Sequence, residues 1–115
     1  MNKTTIDQFK LETFAPLVGS KFRVYTEAAG FIELELVEAT EFRGHGSKPA
    51  PGTGLMQESF SVIFGGPDNR LLPQGMYAFE HEGLGRFELF IVPVGRKPGV
   101  FQYQAVFNRL IQPKQ

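Results

Sequence analysis

The clearest alternation of apolar and polar positions runs from Leu71 to Phe107, where it predicts three antiparallel strands and the turns between them. Gly83, Leu84 and Gly85 separate two alternating runs and predict a three-residue hairpin loop with Gly85 in the left-handed conformation. That loop sets Glu82 opposite Arg86, His81 opposite Phe87, Glu80 opposite Glu88, Phe79 opposite Leu89 and Tyr77 opposite Ile91. A five-residue loop from Gly95 to Gly99 then sets Ile91 opposite Tyr103, Leu89 opposite Ala105 and Phe87 opposite Phe107. One face stays apolar across all three strands. Burying each large side chain on it is worth roughly 1.5–3 kcal/mol, so this face is expected as one wall of the core. Pro93 falls in the middle strand and is expected to mark a bulge or the point where that strand leaves the sheet.

The same reading extends upstream. Lys21 to Glu27 and Phe31 to Ala39 form a second hairpin around Ala28, Ala29 and Gly30, with Phe22 opposite Leu36, Val24 opposite Leu34 and Thr26 opposite Ile32. Its polar side sets Arg23 opposite Glu35 and Tyr25 opposite Glu33, and opposite charges support the register. Gln57 to Phe64 alternates with Phe60, Val62 and Phe64 inward, and Gly65 to Asn69 is expected to end that strand.

Residues 5–18 place Ile6, Phe9, Thr13, Phe14 and Leu17 near one helical face, with Thr5 and Gln8 spaced as a capping box. Pro16 forbids one continuous helix. The pattern fits a helix from Ile6 to about Leu11 followed by a turn opened at Thr13, or that second turn alone, closed at Gly19. Phe14, Leu17 and Val18 are expected to plug the β structure.

Together these elements predict an all-β fold of about six antiparallel strands, in a small barrel or a two-layer sandwich, with a short N-terminal helix as plug. The 115 residues suit one domain, 1–115, with 1–10 as an N-terminal extension, 43–55 as a mobile Gly/Pro loop and 112–115 as a frayed tail. Thirteen glycines, eight prolines and twelve phenylalanines agree with turns between aromatic-rich strands. Twelve basic and twelve acidic residues cancel, which argues against a nucleic-acid surface or a polybasic membrane patch. The absence of cysteine excludes disulfides and thiolate metal sites. No apolar run approaches a membrane span, the N-terminus lacks a signal core, and the expected location is cytoplasmic.

Candidate chemistry is sparse. His45 lies between two glycines without a neighbouring ligand residue, and His81 lies at the end of the apolar face, where a rim histidine bonded to backbone is expected. Neither a metal site nor a cofactor is expected. Glu80, Glu82 and Glu88 form a carboxylate cluster in the derived register, with Arg86 as the local cation; paired carboxylates support acid–base work or hold a hard cation, and solvated ones do neither. Glycines from Gly44 to Gly54 and at Gly65 and Gly66 lack the strand–loop–helix context of a phosphate loop and read as turns. Ser59 and Ser61 are expected on the outward side of a strand, with no nucleophile elbow. The second face of the meander is half apolar: Met76, Ala78, Phe90, Val92 and Val94 lie beside Gln102, Gln104 and Val106. Either the N-terminal helix covers that face or it docks a partner.

The run Phe14-Ala15-Pro16-Leu17-Val18-Gly19, with Leu71-Leu72-Pro73-Gln74-Gly75, Glu80-His81, Leu84-Gly85 and Glu88-Leu89-Phe90-Ile91-Val92-Pro93-Val94-Gly95, resembles a small bacterial domain family of unknown function. Members of that family are often encoded near tail-collar-type, microcystin-dependent-like proteins of phage origin. The resemblance spans about residues 11–108, and it transfers no activity and no catalytic residue. What it implies is an accessory or assembly role beside a tail-collar-type partner. The N-terminal segment and the insertion at 43–55 depart from the pattern.

The function expected from all this is a non-enzymatic protein-interaction or assembly module using Met76, Ala78, Phe90, Val92, Gln102 and Gln104, with a homo-oligomer through the same face as a variant of it. A second reading is a small-ligand binder lined by Phe60, Phe64, Tyr77, Phe79, Phe101 and Tyr103. A third is a hydrolase or lyase built on Glu80, Glu88 and His81.

Overall fold

A computed structural model describes residues 9–26, 30–41 and 56–111. The expectations for Thr5, Ile6, Gln8, His45, the 43–55 loop and the 112–115 tail lie outside the described residues. Six strands, β1 (Lys21–Thr26), β2 (Gly30–Glu41), β3 (Met56–Pro67), β4 (Gly75–His81), β5 (Gly85–Lys97) and β6 (Val100–Ile111), close into an antiparallel barrel in the order β1-β2-β3-β6-β5-β4. The barrel, rather than the sandwich, is the closure this chain adopts. It leaves no open sheet edge between first and last strands, because Arg23, Val24 and Tyr25 pair with Glu80, Phe79 and Ala78.

Closure depends on two long strands that each serve two neighbours. β2 pairs with β1 from Gly30 to Glu35 and with β3 from Glu35 onward; β5 pairs with β4 from Gly85 to Ile91 and with β6 from Val92 onward. Each carries a bulge just after the change of partner, between Leu36 and Glu38 and between Pro93 and Gly95, and an extra residue bends a strand there. Pro93 thus sits at the expected bulge. It lies beyond the end of the β4 ladder, where a missing N–H removes least.

The two hairpins superpose in register when Gly30 is matched to Gly85, both of which have positive φ. Phe22 opposite Leu34 then corresponds to Tyr77 opposite Leu89, Val24 opposite Ile32 to Phe79 opposite Phe87, and Lys21 opposite Glu35 to Met76 opposite Phe90. The matched residues Val24 and Phe79 pair with one another across the β1–β4 seam. The barrel is therefore two β-hairpin-plus-strand halves facing each other.

All three expected registers are corrected by two residues. Phe22 faces Leu34 rather than Leu36, Phe79 faces Phe87 rather than Leu89, and Tyr103 faces Pro93 rather than Ile91. The glycine closing each of the first two loops belongs to the ladder, opposite Thr26 and His81, and the third loop shrinks to Pro98 and Gly99 between paired Lys97 and Val100. Pairing between β5 and β6 also stops at Val92 and Gln104, so the three-stranded meander does not run its full expected length.

Phe9 packs beside that gap. Its ring stands edge-on to Phe14 at 5.2 Å and Phe87 at 5.0 Å, with Phe107 at 6.4 Å. A one-turn helix α1 (Leu11–Phe14) passes into a 3-10 turn over Ala15–Leu17 because Pro16 has no N–H to continue the α-helical ladder. The helix opens at Leu11 rather than Thr13, whose Oγ1 instead accepts the Lys10 N–H at 3.0 Å. Phe14 plugs the barrel among Phe22, Phe60 and Phe107, and Leu17 packs partly against the core. Val18, expected in the plug, is half exposed, since the chain turns outward before Gly19.

Phe60, Val62 and Phe64 point inward as expected. The strand does not end at Gly65. It continues through Gly66, where a Cβ would lie 2.4 Å from Leu34 Cδ2, so these glycines serve a close approach over the core rather than a turn. Ser59 and Ser61 alternate with the core residues, yet they are buried: Ser61 lies between Thr40 of β2 and Val106 of β6, where a short side chain is shielded by longer neighbours.

Candidate interaction face

The outer side of β4 and β5 brings Met76 directly opposite Phe90, 59% and 46% exposed. Ala78 stands opposite Glu88, and Val92 opposite Gln104; Ala78, Val92, Gln102 and Gln104 are half-buried. Val94, the bulged residue, and Val106 are also about half exposed. Among the described residues no aromatic ring or cation lies against Phe90. The described part of the N-terminal helix is in the barrel end and does not cover this face.

The connection before β4 extends the apolar surface in a way the alternation pattern did not reveal. Leu71, 54% exposed, and Pro73 join Met76, Tyr77 and Ala78 along a groove of about 550 Å³ that also includes Tyr25 and Arg70. The segment is anchored from behind: Leu72 is buried and its N–H donates to Tyr103 Oη at 3.0 Å, while Tyr77 O–H donates to the Pro73 carbonyl at 2.6 Å. Tyr103 O–H is left for the Arg70 carbonyl at 3.4 Å, and burial raises the phenol pKa. A non-alternating segment carries no period, so only its two adjacent leucines hinted at this role.

The carboxylates expected as a cluster are parted by the corrected register. Glu80 stands opposite Arg86 and Glu88 opposite Ala78, while Glu82 is in the turn. Glu80 accepts a hydrogen bond from Tyr25 O–H and lies 3.9 Å from Arg23 Nη1; the Arg86 guanidinium stacks over the Tyr25 ring at 4.6 Å. Glu80 and Glu82 share a groove of about 500 Å³ with Lys21, Arg23, Glu33 and His81. Its lining carries both signs of charge. Glu80 is thereby tied to a phenol and a guanidinium instead of to a second carboxylate, and no shared-proton pair forms.

His81 packs against the Phe22 ring at 4.4 Å, tilted by 37°, and bonds to Ser20, which superficially resembles a nucleophile and its base. The proton directions are wrong for that role. Gly83 N–H donates to His81 Nδ1 at 2.9 Å, so the neutral ring carries its proton on Nε2, which donates to Ser20 Oγ at 3.0 Å. Ser20 O–H in turn donates to the Leu17 carbonyl at 2.6 Å. A base that is already donating cannot accept the serine proton. Burial lowers the His81 pKa, against the opposing pull of Glu82.

Of the six aromatic residues considered for a ligand cavity, Phe60, Phe64, Phe79 and Tyr103 are core residues. Three of these rings pack on other rings, with Phe60 stacked on Phe107 at 4.6 Å and Phe64 against Phe79 at 5.2 Å, and the Tyr103 hydroxyl is engaged by the Leu72 N–H. Tyr77 and Phe101 lie at the margin, Phe101 beneath Arg96 at 5.4 Å.

Among the described residues no helix is long and apolar enough to cross a membrane. A family model described as a domain of unknown function, DUF6916, matches residues 9–107. It begins at the core residue Phe9 and ends at Phe107, so it spans the described barrel almost entirely. No curated protein and no solved structure matches the chain.

Proposed function

The chain belongs to the DUF6916 family, a domain of unknown function, and from that premise we propose that it is a non-enzymatic interaction or assembly module. Its docking surface is the outer side of β4–β5 with the preceding connection: Met76, Phe90 and Leu71 as apolar anchors, with Ala78, Val92, Gln102 and Gln104 around them. The observation that carries this reading is the Met76–Phe90 pair, two large apolar side chains opposite one another and open to water on a sheet whose other face is already packed. Large exposed apolar surfaces on a closed domain are characteristically covered by a partner. A protein with a complementary apolar ridge is the partner this face suits, and the family resemblance makes a tail-collar-type protein the first to try. A second copy of the chain is the other.

Affinity capture with the wild-type protein and Phe90→Asp in parallel tests the proposal. Since Phe90 is outward, the variant is expected to fold, which its thermal transition checks. A stoichiometric protein retained by the wild type and lost by the folded variant, or a wild-type dimer that the variant converts to monomer, supports the reading. Equal behaviour of the two proteins refutes it.

A further inference from the structure

We propose that the His81–Ser20 connection is an acid-sensitive latch between the β4–β5 turn and the N-terminal plug. The two residues are far apart in the chain, and the bond spans the junction at which the 3-10 turn enters β1. That junction is pinned on its other side to β2: Gly19 N–H donates to the Leu36 carbonyl at 2.7 Å, and Leu36 N–H donates to the Ser20 carbonyl at 3.0 Å. Through Ser20 the imidazole therefore reaches both the plug and the neighbouring strand. The residue of the first hairpin matched to His81 is Thr26, opposite Gly30, so only the second hairpin places an imidazole at this position, and its bond to Ser20 joins the two halves of the barrel.

Its sensitivity comes from the relay. The chain of bonds runs in one direction, from Gly83 N–H to Nδ1, from Nε2–H to Ser20 Oγ, and from Ser20 O–H to the Leu17 carbonyl. Each group has the polarity that the next requires. Protonation places a second hydrogen on Nδ1, facing the Gly83 N–H across 2.9 Å, and two donors then confront each other. The turn must release Gly83 or the ring must swing away from Ser20. Contact with the Phe22 ring and the ring's burial withhold water that would otherwise solvate the cation. The charged groups around it are mixed: Glu82 from the turn, Glu80 from β4 and Glu33 from β2 favour the cation, while Lys21 and Arg23 from β1 oppose it. Burial outweighs the pull of Glu82, and the imidazole pKa is lowered.

The direction of the pH effect follows. Well above 6.5, the ordinary imidazole value, the ring is neutral in both folded and unfolded chains and the latch contributes fully. As pH falls below that value, the unfolded chain takes up a proton that the folded chain resists, and stability declines until the folded ring is protonated too.

Imidazole nitrogen shifts and amide exchange, followed by NMR on the full chain across the acid side of neutrality, test this. At neutral pH the expected ring is protonated at Nε2 and bare at Nδ1. In acid, exchange protection of the Gly83 and Ser20 amides, corrected for intrinsic rates, is expected to fall by up to about tenfold per pH unit until His81 has titrated. His81→Asn supplies a non-titrating acceptor for the Gly83 N–H and should make that protection independent of pH. A neutral ring protonated at Nδ1, or Gly83 protection unchanged while His81 titrates, overturns the proposal. So does the same acid loss in His81→Asn; if that variant does not fold, the wild-type tautomer and exchange data decide alone.

Discussion

The two hairpins of the barrel share a register, and they differ chiefly in what they show to water. Beside the strand ends, the first places Lys21 opposite Glu35; at the matched position the second places Met76 opposite Phe90. Even where the first hairpin exposes an aromatic residue it is dressed: Phe31, 45% exposed, has the Arg23 guanidinium 5.1 Å above its ring and Tyr25 at 5.9 Å. Phe90 is equally exposed and has no such cover among the described residues. One backbone arrangement thus tolerates a charge pair at this position, so the barrel itself does not require the apolar one. That difference is the observation on which the proposed partner rests.

The interior offers the opposite case, because there both halves contribute to one object. Phe14 touches Phe22 from the first half and Phe107 from the second, and is fully buried. Phe14→Ala is the largest effect expected, a loss of about 3–5 kcal/mol in chemical denaturation from the deleted ring and the cavity left behind. Both halves should lose structure in one transition. If backbone probes in β1–β2 and β4–β5 melted separately, the halves would be independent units and the comparison between them would lose its shared core.

A smaller effect is expected where only the second half is addressed. Tyr103→Phe removes the acceptor of the Leu72 N–H at a buried site and should cost about 1–3 kcal/mol. Because Leu72 holds the connection that presents Leu71 and Pro73, this variant should also weaken partner capture while Met76 and Phe90 stay intact. Undiminished capture would confine the face to the strands.

What the letters revealed of this molecule follows from the period of a strand. Gly85 was legible as a left-handed residue and Gly30 as the last residue of the matching loop, and both have positive φ. Assigning them to the loop rather than to the first rung displaced each pairing by two residues. A displacement of two keeps every side chain on its own face, so Phe22, Phe79, Leu89 and Ile91 were recognisable as core even with the wrong neighbours. Properties that depend on which residue stands opposite were lost: Glu80 and Glu88 seemed paired, and the match of Met76 with Phe90 to Lys21 with Glu35 was hidden. The bulge at Pro93 was legible because proline has no N–H. The role of Phe9 was not, since it depends on a gap between β5 and β6 that exists only because β5 pairs with β4 up to Ile91 and with β6 from Val92 onward.

The smallest effect on folding carries the most information about function. Met76→Lys combined with Phe90→Glu writes the first hairpin's pair into the second, where the backbone geometry already matches. The apolar cross-strand contact that is lost and the ion pair that is gained are each worth roughly 0.2–1 kcal/mol, so they offset and stability should change by less than about 1 kcal/mol. Capture of the partner, or self-association if the partner is a second copy, should disappear. The reciprocal exchange, Lys21→Met with Glu35→Phe, gives the first half an apolar pair without Leu71 and Pro73 beside it. It should not bind the same partner. Binding retained in the first double variant would mean that the apolar pair is incidental, whereas binding acquired by the second would mean that two exposed apolar residues suffice and that the connection before β4 adds nothing to recognition.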